Sequence, residues 1–180
     1  VVIYTAHHDH LGIGTAGDDG DVIYNGARDN GTGMAQILAI ARAIKALPTA
    51  PRRSVLIALV GAEEQGLLGS EFYAANPTFE AGKIAANINY DSGNIWGRTH
   101  DVTYIGLGKS SIDQIAVSFA AEQGRVVKPD QFPDKGYYYR SDQFNLAKIG
   151  VPALYLKAGT DFVDRPPGWG RQQQDHHTEF

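Results

Sequence analysis

Two short apolar runs constrain this chain most, because each ends abruptly in charged residues. Residues 1–6 read VVIYTA and lead into His7-His8-Asp9-His10. Residues 54–60 read SVLIALV and lead through Gly61 and Ala62 into Glu63-Glu64. Short runs rich in β-branched and aliphatic residues read as buried strands. The second run shows no polar alternation, the pattern of a strand covered on both faces by helices. Between them, residues 33–47 place Met34, Ile37, Leu38, Ala41, Ile44 and Leu47 on one helical stripe, which Pro48 and Pro51 end. The same reading predicts helices at about 67–75, 110–123 and 141–148, and strands at 85–90, 102–105, 125–128 and 152–157. Alternating strands and helices predict an α/β fold, a three-layer α/β/α sandwich with a mostly parallel central sheet. Residues 12–27, rich in Gly and Asp, read as one long loop.

Ligands in such sheets bind at the carboxyl ends of the strands. Here that edge carries His7 and Asp9 after the first strand, Glu63 and Glu64 after the second, and Asp91 after the third. Composition narrows the chemistry further. The 180 residues include no cysteine, which excludes disulfide scaffolds, zinc ribbons and thiol catalysis. A metal site would have to use His, Asp and Glu. Lys and Arg total 16 against 20 Asp and Glu, a net charge of −4 that disfavours nucleic-acid binding. No apolar run approaches the roughly 18 residues of a membrane span, and no signal peptide is visible. The length suits one domain, residues 1–180. A start at Val1 inside an apolar run, and an end just after a histidine pair, lead to the expectation of a fragment of a longer chain.

Each polar cluster has a plain reading and a chemical one. His7-x-Asp9 points both side chains the same way on an extended chain, so Asp9 could hold one ring nitrogen of a metal-binding His7, or be a loop acid. Gly26-Ala27-Arg28-Asp29-Asn30-Gly31-Thr32-Gly33 precedes a helix. Asp29 and Asn30 could cap it, or Asp29 could bridge two cations. Glu63 and Glu64 end an apolar strand, where carboxylates are costly unless paired or metal-bound. As consecutive residues they diverge, so one can bind metal while the other accepts a proton from water. Taken jointly, one imidazole with several carboxylates suits zinc, with manganese or cobalt as substitutes. That set points to metal-assisted hydrolysis. Ile105-Gly106-Leu107-Gly108-Lys109-Ser110 is not a phosphate loop, because Thr103 stands where its first glycine belongs. Asp18-Asp19-Gly20-Asp21 lacks calcium-loop spacing. No Gly-x-Ser-x-Gly elbow is present.

The strings AHHDHLG, GARDNGTG, GAEEQGLLGS and NYDSGN, in this order, resemble the di-zinc exopeptidases of the aminopeptidase Y / glutamate carboxypeptidase II family. YRSDQFNLAKIGVPALYLKAG resembles that family's segment before its last metal ligand. The resemblance implies the zinc-dependent exopeptidase fold, phosphorylase/hydrolase-like, and two zinc ions per site. It matches His7 to a histidine ligand, Asp9 to that histidine's partner and Asp29 to the bridging carboxylate. It matches Glu63 to the general base, Glu64 to a ligand of the second zinc and Asp91 to a ligand of the first. The remaining histidine ligand is matched either by His177 or by a residue beyond Phe180. Tyr138 is the nearest match to an oxyanion-stabilising tyrosine, the alternative being a tyrosine loop packed on the sheet. His8 is expected in packing or solvent, His10 along the cleft and His100 in a polar loop. The implied activity is removal of a terminal residue from a peptide substrate, first as an aminopeptidase. A carboxypeptidase, another amide hydrolase or a non-catalytic receptor-like relative is the alternative. Export to the periplasm or outside the cell is implied by the resemblance alone.

Overall fold

The computed structural model describes residues 1–15 and 20–176. Its strands are β1 (Val2–His7), β2 (Gly12–Ile13), β3 (Ile23–Tyr24), β4 (Val55–Val60), β5 (Ala86–Asn89), β6 (Asp101–Ile105), β7 (Val126–Pro129) and β8 (Ala153–Ala158). Its α-helices are α1 (Gly31–Lys45), α2 (Leu68–Ala75), α3 (Ile112–Glu122), α4 (Gln143–Lys148) and α5 (Trp169–His176). Six strands form one sheet in the order β4-β1-β5-β8-β6-β7. All its pairings are parallel except β6 with β8. Helices flank the sheet, which gives the three-layer α/β/α arrangement.

Register aligns the chemically interesting ends. His7 sits opposite Val60, and Thr5 opposite Asn89, which in turn pairs with Tyr155. The carboxyl ends of β4, β1 and β5 therefore emerge side by side, and the segments that follow them carry the acids. Beneath this edge, α2 and α4 pack over one face of the sheet. There Ile3, Ile84, Leu146 and Val151 form a buried apolar cluster with Tyr73 and Phe79 against it. Helix α1 covers β1 and β4 with part of the stripe read from sequence, centred on the fully buried Ile37 with Met34, Ala41 and Ile44 half-buried, while Leu38 and Leu47 are exposed.

The structure departs from the sequence reading in three places. Residues 12–27 are not one loop, because Gly12 pairs with Tyr24 and Ile13 with Ile23 in a small antiparallel ladder. A two-residue ladder is too short to leave a period in the sequence. The non-alternating run ending at Val60 is only half-buried, with Leu59 38% exposed, because β4 is the edge strand of the sheet as described. Helix α5 had no expected counterpart, since its polar sequence WGRQQQDH carries no apolar stripe.

Asp101 fastens the later strands together. It is fully buried at the start of β6. It accepts the main-chain N–H of Thr160 at 3.1 Å and of Asp161 at 2.9 Å, and the Lys128 ammonium lies 3.2 Å away. Burial works to raise its pKa, but these donors outweigh it and hold the carboxyl below its usual value. A depressed folded pKa adds stability above the unfolded value of about 3.9, and that stability is lost as pH falls through the folded pKa. Asp101→Asn is therefore expected to cost roughly 3 kcal/mol at neutral pH, with the difference from wild type shrinking on acidification. Urea unfolding at pH 7 and below pH 4 would check both the size and the sign.

Candidate metal centre

Each acid is held by a local device that follows from the residues around it. His7 ends β1 and is 1% exposed. Its Nδ1 lies 3.1 Å from the main-chain oxygen of Asp9. A carbonyl can only accept, so Nδ1 carries a proton and Nε2 is turned towards the acids. The Asp9 carboxylate is further off, at 3.8 Å. The hydrogen bond expected from the Asp9 side chain is thus made by its backbone, and the carboxylate acts on the ring through charge.

Asp29 lies in the bend before α1. Gly26 makes that bend with a φ of +63°, and a side chain there would strike His10 and the Asp29 carbonyl. The Asp29–Asn30 peptide is cis. Asn30 caps the helix through Gly33 N–H at 3.0 Å, as its position suggested. It does more than cap. The same oxygen accepts Ser92 N–H at 3.0 Å, and its amide donates to the Tyr90 carbonyl at 2.9 Å. Asn30 therefore sets the position of Asp29 relative to Asp91. Gly33 permits this approach, since a Cβ there would lie 2.6 Å from the Tyr90 carbonyl.

Glu63 and Glu64 sit in a turn closed by Gly66 and Leu67, whose N–H groups donate to the Glu63 carbonyl at 3.0 and 2.9 Å. Asn145 of α4 donates to the Leu67 carbonyl at 3.1 Å and to Ser70 Oγ at 2.9 Å, which locks that turn from below. Glu64 takes a 2.7 Å contact from His10 Nδ1. The His10 ring in turn meets Tyr24 of β3 edge-on, so the small hairpin supports the acid. Asp91 accepts hydrogen bonds from Ser141 Oγ and, at 3.3 Å, from the Tyr155 hydroxyl. Ser141 is itself held by Asn89 at 2.7 Å, and Asn89 by Thr5 at 2.7 Å. A buried polar chain thus runs from the middle of the sheet to the acid.

The outcome is a convergence on one imidazole. His7 Nε2 lies 3.1 Å from Asp29 Oδ1 and 3.7 Å from Asp91 Oδ1. Two sets of possible ligand atoms, His7 with Asp29 and Glu64, and His7 with Glu63 and Asp91, each fall within 4.8 Å of one another. Apart from the His7 ring, the buried Asp29 Oδ1 meets no hydrogen-bond partner among the described residues. An orphaned buried oxygen in a nitrogen–oxygen donor set is what a borderline cation such as zinc would satisfy, so the residues fit a metal.

Electrostatics agree with that fit. Burial acts to lower the His7 pKa, but hydrogen bonds to Asp29 and Asp91, with the charges of Asp91 and Glu63, raise it to about 11. Glu63 is pushed up to about 8, first by burial and then by Asp91. Asp91 stays below its usual value despite burial, because His7, Lys157 and Ser141 favour its anion. Asp142, buried at the start of α4 beside the cluster, is raised to about 6, chiefly by burial. This is a field in which several carboxylates crowd a single protonated imidazole, His7.

The cluster floors a cavity of about 390 Å³. Tyr138 does not reach it. Its ring packs against Gly106 and, edge-on, against Phe144 at 5.9 Å. Tyr137 and Tyr139 line the cavity instead. His8 is exposed, and His100 donates its main-chain N–H to Asp161 at 2.8 Å in a polar loop. His177 lies outside the described residues. Sequence reading missed the service of Ser141, Tyr155 and Asn30 to the acids. Of these, only Ser141 had a signal, its place in the segment leading into α4.

A family model described as Peptidase family M28 matches residues 1–179. The chain belongs to peptidase family M28. Over 151 residues it is 30% identical to leupeptin-inactivating enzyme 1 of Streptomyces exfoliatus, covering 82% of this chain and 33% of that one. Over 176 residues it is 30% identical to leucine aminopeptidase 2 of Trichophyton equinum, covering 92% of this chain and 32% of that one. The chain thus spans about a third of the length of these relatives. The LapA aminopeptidase of Legionella pneumophila shares the fold, with a TM-score of 0.70 at 21% identity, covering 92% of this chain and 42% of that chain. Among the described residues, no helix is long and apolar enough to cross a membrane.

A cation held by His7 would have to displace the proton on its Nε2. Zinc binding at pH 7 is expected to release at least one proton per chain, and affinity to rise about tenfold per pH unit for each proton released. Calorimetric titration in two buffers of different ionisation enthalpy measures that release. Ser141→Ala, which removes one of the two donors to Asp91 and leaves Tyr155, should weaken zinc binding by about 10–100-fold while leaving the fold intact.

Proposed function

We propose that residues 1–180 are the catalytic domain of a metal-dependent exopeptidase that acts as an aminopeptidase with two zinc ions, for which manganese or cobalt can substitute. The observation that carries this reading is the meeting of His7 with Asp29, Asp91, Glu63 and Glu64 at the carboxyl edge of the sheet. His7, Asp29 and Asp91 would hold one ion, and Asp29 and Glu64 would share in holding the other. When bound, such ions lower the pKa of water and polarise the carbonyl oxygen of the substrate.

The chain's own residues supply the rest. Glu63 takes the proton of the attacking water as the new C–O bond forms, and passes it to the departing amine nitrogen as the C–N bond breaks. Burial and the neighbouring Asp91 raise the proton affinity of Glu63, which suits a base that must hold the water's proton until the amine departs. Ser141 and Tyr155 keep Asp91 aimed at His7. His10 steadies Glu64. Asp9 orients the His7 ring through its carbonyl. The family match and the aminopeptidases named above support this reading, and export of the whole protein is proposed with it on the resemblance alone.

In the full-length protein, aminoacyl anilides should be cleaved and N-blocked peptides should not. Glu63→Gln is expected to lower kcat by about 10²–10⁴ with zinc content unchanged. Loss of less than tenfold at full zinc content would contradict the role given to Glu63.

A further inference from the structure

Two cations in the wall of the same cavity feel the charge of Asp91 but form no ion pair among the described residues. Arg28 precedes Asp29, and Lys157 lies two residues beyond Tyr155 on β8, so strand alternation turns Tyr155 and Lys157 to the same side. Both Arg28 and Lys157 line the cavity floored by Glu63 and Asp91. Among the described residues, neither has a carboxylate within ion-pair distance and neither side chain donates a hydrogen bond. Arg28 is half-buried, and its Nε is buried with no partner at all. A half-enclosed cation with empty donors carries a desolvation cost that a ligand can relieve.

Both are also held in place by aromatic rings. The Arg28 guanidinium lies 4.5 Å from the centroid of the Trp96 ring. The Lys157 ammonium lies 4.1 Å from that of Tyr137 and 5.5 Å from that of Tyr155. Stacking of this kind fixes a cation without using its hydrogen-bond donors. The acids cannot be the sole reason for these charges, because the proposed zinc ions would neutralise the acids directly. Once those ions sit on the floor, Arg28 and Lys157 remain as donors facing the cavity above it.

We infer that Arg28 and Lys157, backed by Trp96 and Tyr137, form a carboxylate-recognising subsite beside the metal centre, so that the substrates of this domain are peptides with an anionic group next to the scissile bond. This rests on the reading of the domain as a peptidase. The carboxylate can come from an acidic terminal side chain or from the free C-terminus of a dipeptide. Both present the same planar anion to a guanidinium and an ammonium.

The test uses the zinc-loaded full-length protein and two matched pairs of substrates. Glutamyl against glutaminyl p-nitroanilide isolates a side-chain carboxylate, and leucyl-glycine against leucyl-glycinamide isolates a chain terminus. At least one pair should show a kcat/KM preference of about tenfold or more for the anionic member. The pair that shows it identifies the source. Arg28→Met and Lys157→Met keep the apolar stems on their rings, and each should reduce that ratio several-fold. General damage to the enzyme divides out of the ratio. Binding of glutarate against glutaramide by calorimetry gives a readout independent of turnover, and the same two variants should remove the glutarate preference. Ratios within twofold in both pairs, with equal binding of glutarate and glutaramide, would overturn the subsite and leave the peptidase reading standing. A preference that survives both substitutions would place the carboxylate on the metal and also overturn it. A glutarate preference that depends on Arg28 and Lys157, in a protein that cleaves none of the four substrates, would support the subsite and count against the peptidase reading.

Discussion

Mutual repulsion among carboxylates is the constraint on which the rest of this structure depends. Asp29, Asp91, Glu63 and Glu64 are brought to one edge of the sheet with the buried His7 imidazole among them and His10 against Glu64 alone. Without a central cation, that arrangement drives His7 to hold its proton far above neutrality and Glu63 to hold one near it. Such a cluster persists only if the surrounding fold over-determines it. Much of the polar interior serves that end.

The support comes from three directions. Asn30 ties the start of α1 to the segment carrying Asp91. Thr5, Asn89 and Ser141 run a hydrogen-bonded chain through the sheet to the same acid. Asn145 of α4 fixes the turn that presents Glu63 and Glu64. These buried amides and hydroxyls contribute less to stability than apolar side chains of the same volume would, and they leave the acids little freedom to relax apart. The site is therefore rigid for reasons that lie one layer below it. Arg28 and Lys157, which line the same cavity, are held differently, by aromatic rings, which leaves their donors open.

Sequence and structure agree where burial imposes a period. The apolar runs, the α1 stripe and the strand-end acids were legible because each pairs a repeating pattern with an abrupt polar stop. The three-layer architecture followed from their alternation. What escaped depends on contacts distant in the chain. Tyr155 reads as an ordinary strand aromatic until β8 is placed beside β5, 64 residues from its partner Asp91. Asn30 reads as a helix cap, and its second task across to Ser92 has no local signature. Three consecutive tyrosines give no means of choosing the one that faces the cavity, and the short helical turn at Tyr137–Tyr139 turns Tyr138 away from it. The reversed direction of β6 against β8 also leaves no mark in either strand's composition.

The central claim is that the acids around His7 exist to enclose divalent cations. Anomalous diffraction at the zinc absorption edge, from crystals of the full-length protein grown with zinc, tests it most directly. The account predicts an anomalous peak about 2.0–2.1 Å from His7 Nε2 with Asp29 and Asp91 as co-ligands, and a second ion sharing Asp29 with Glu64. Zinc bound elsewhere, with His7 still paired directly to Asp29 and Asp91, would contradict it.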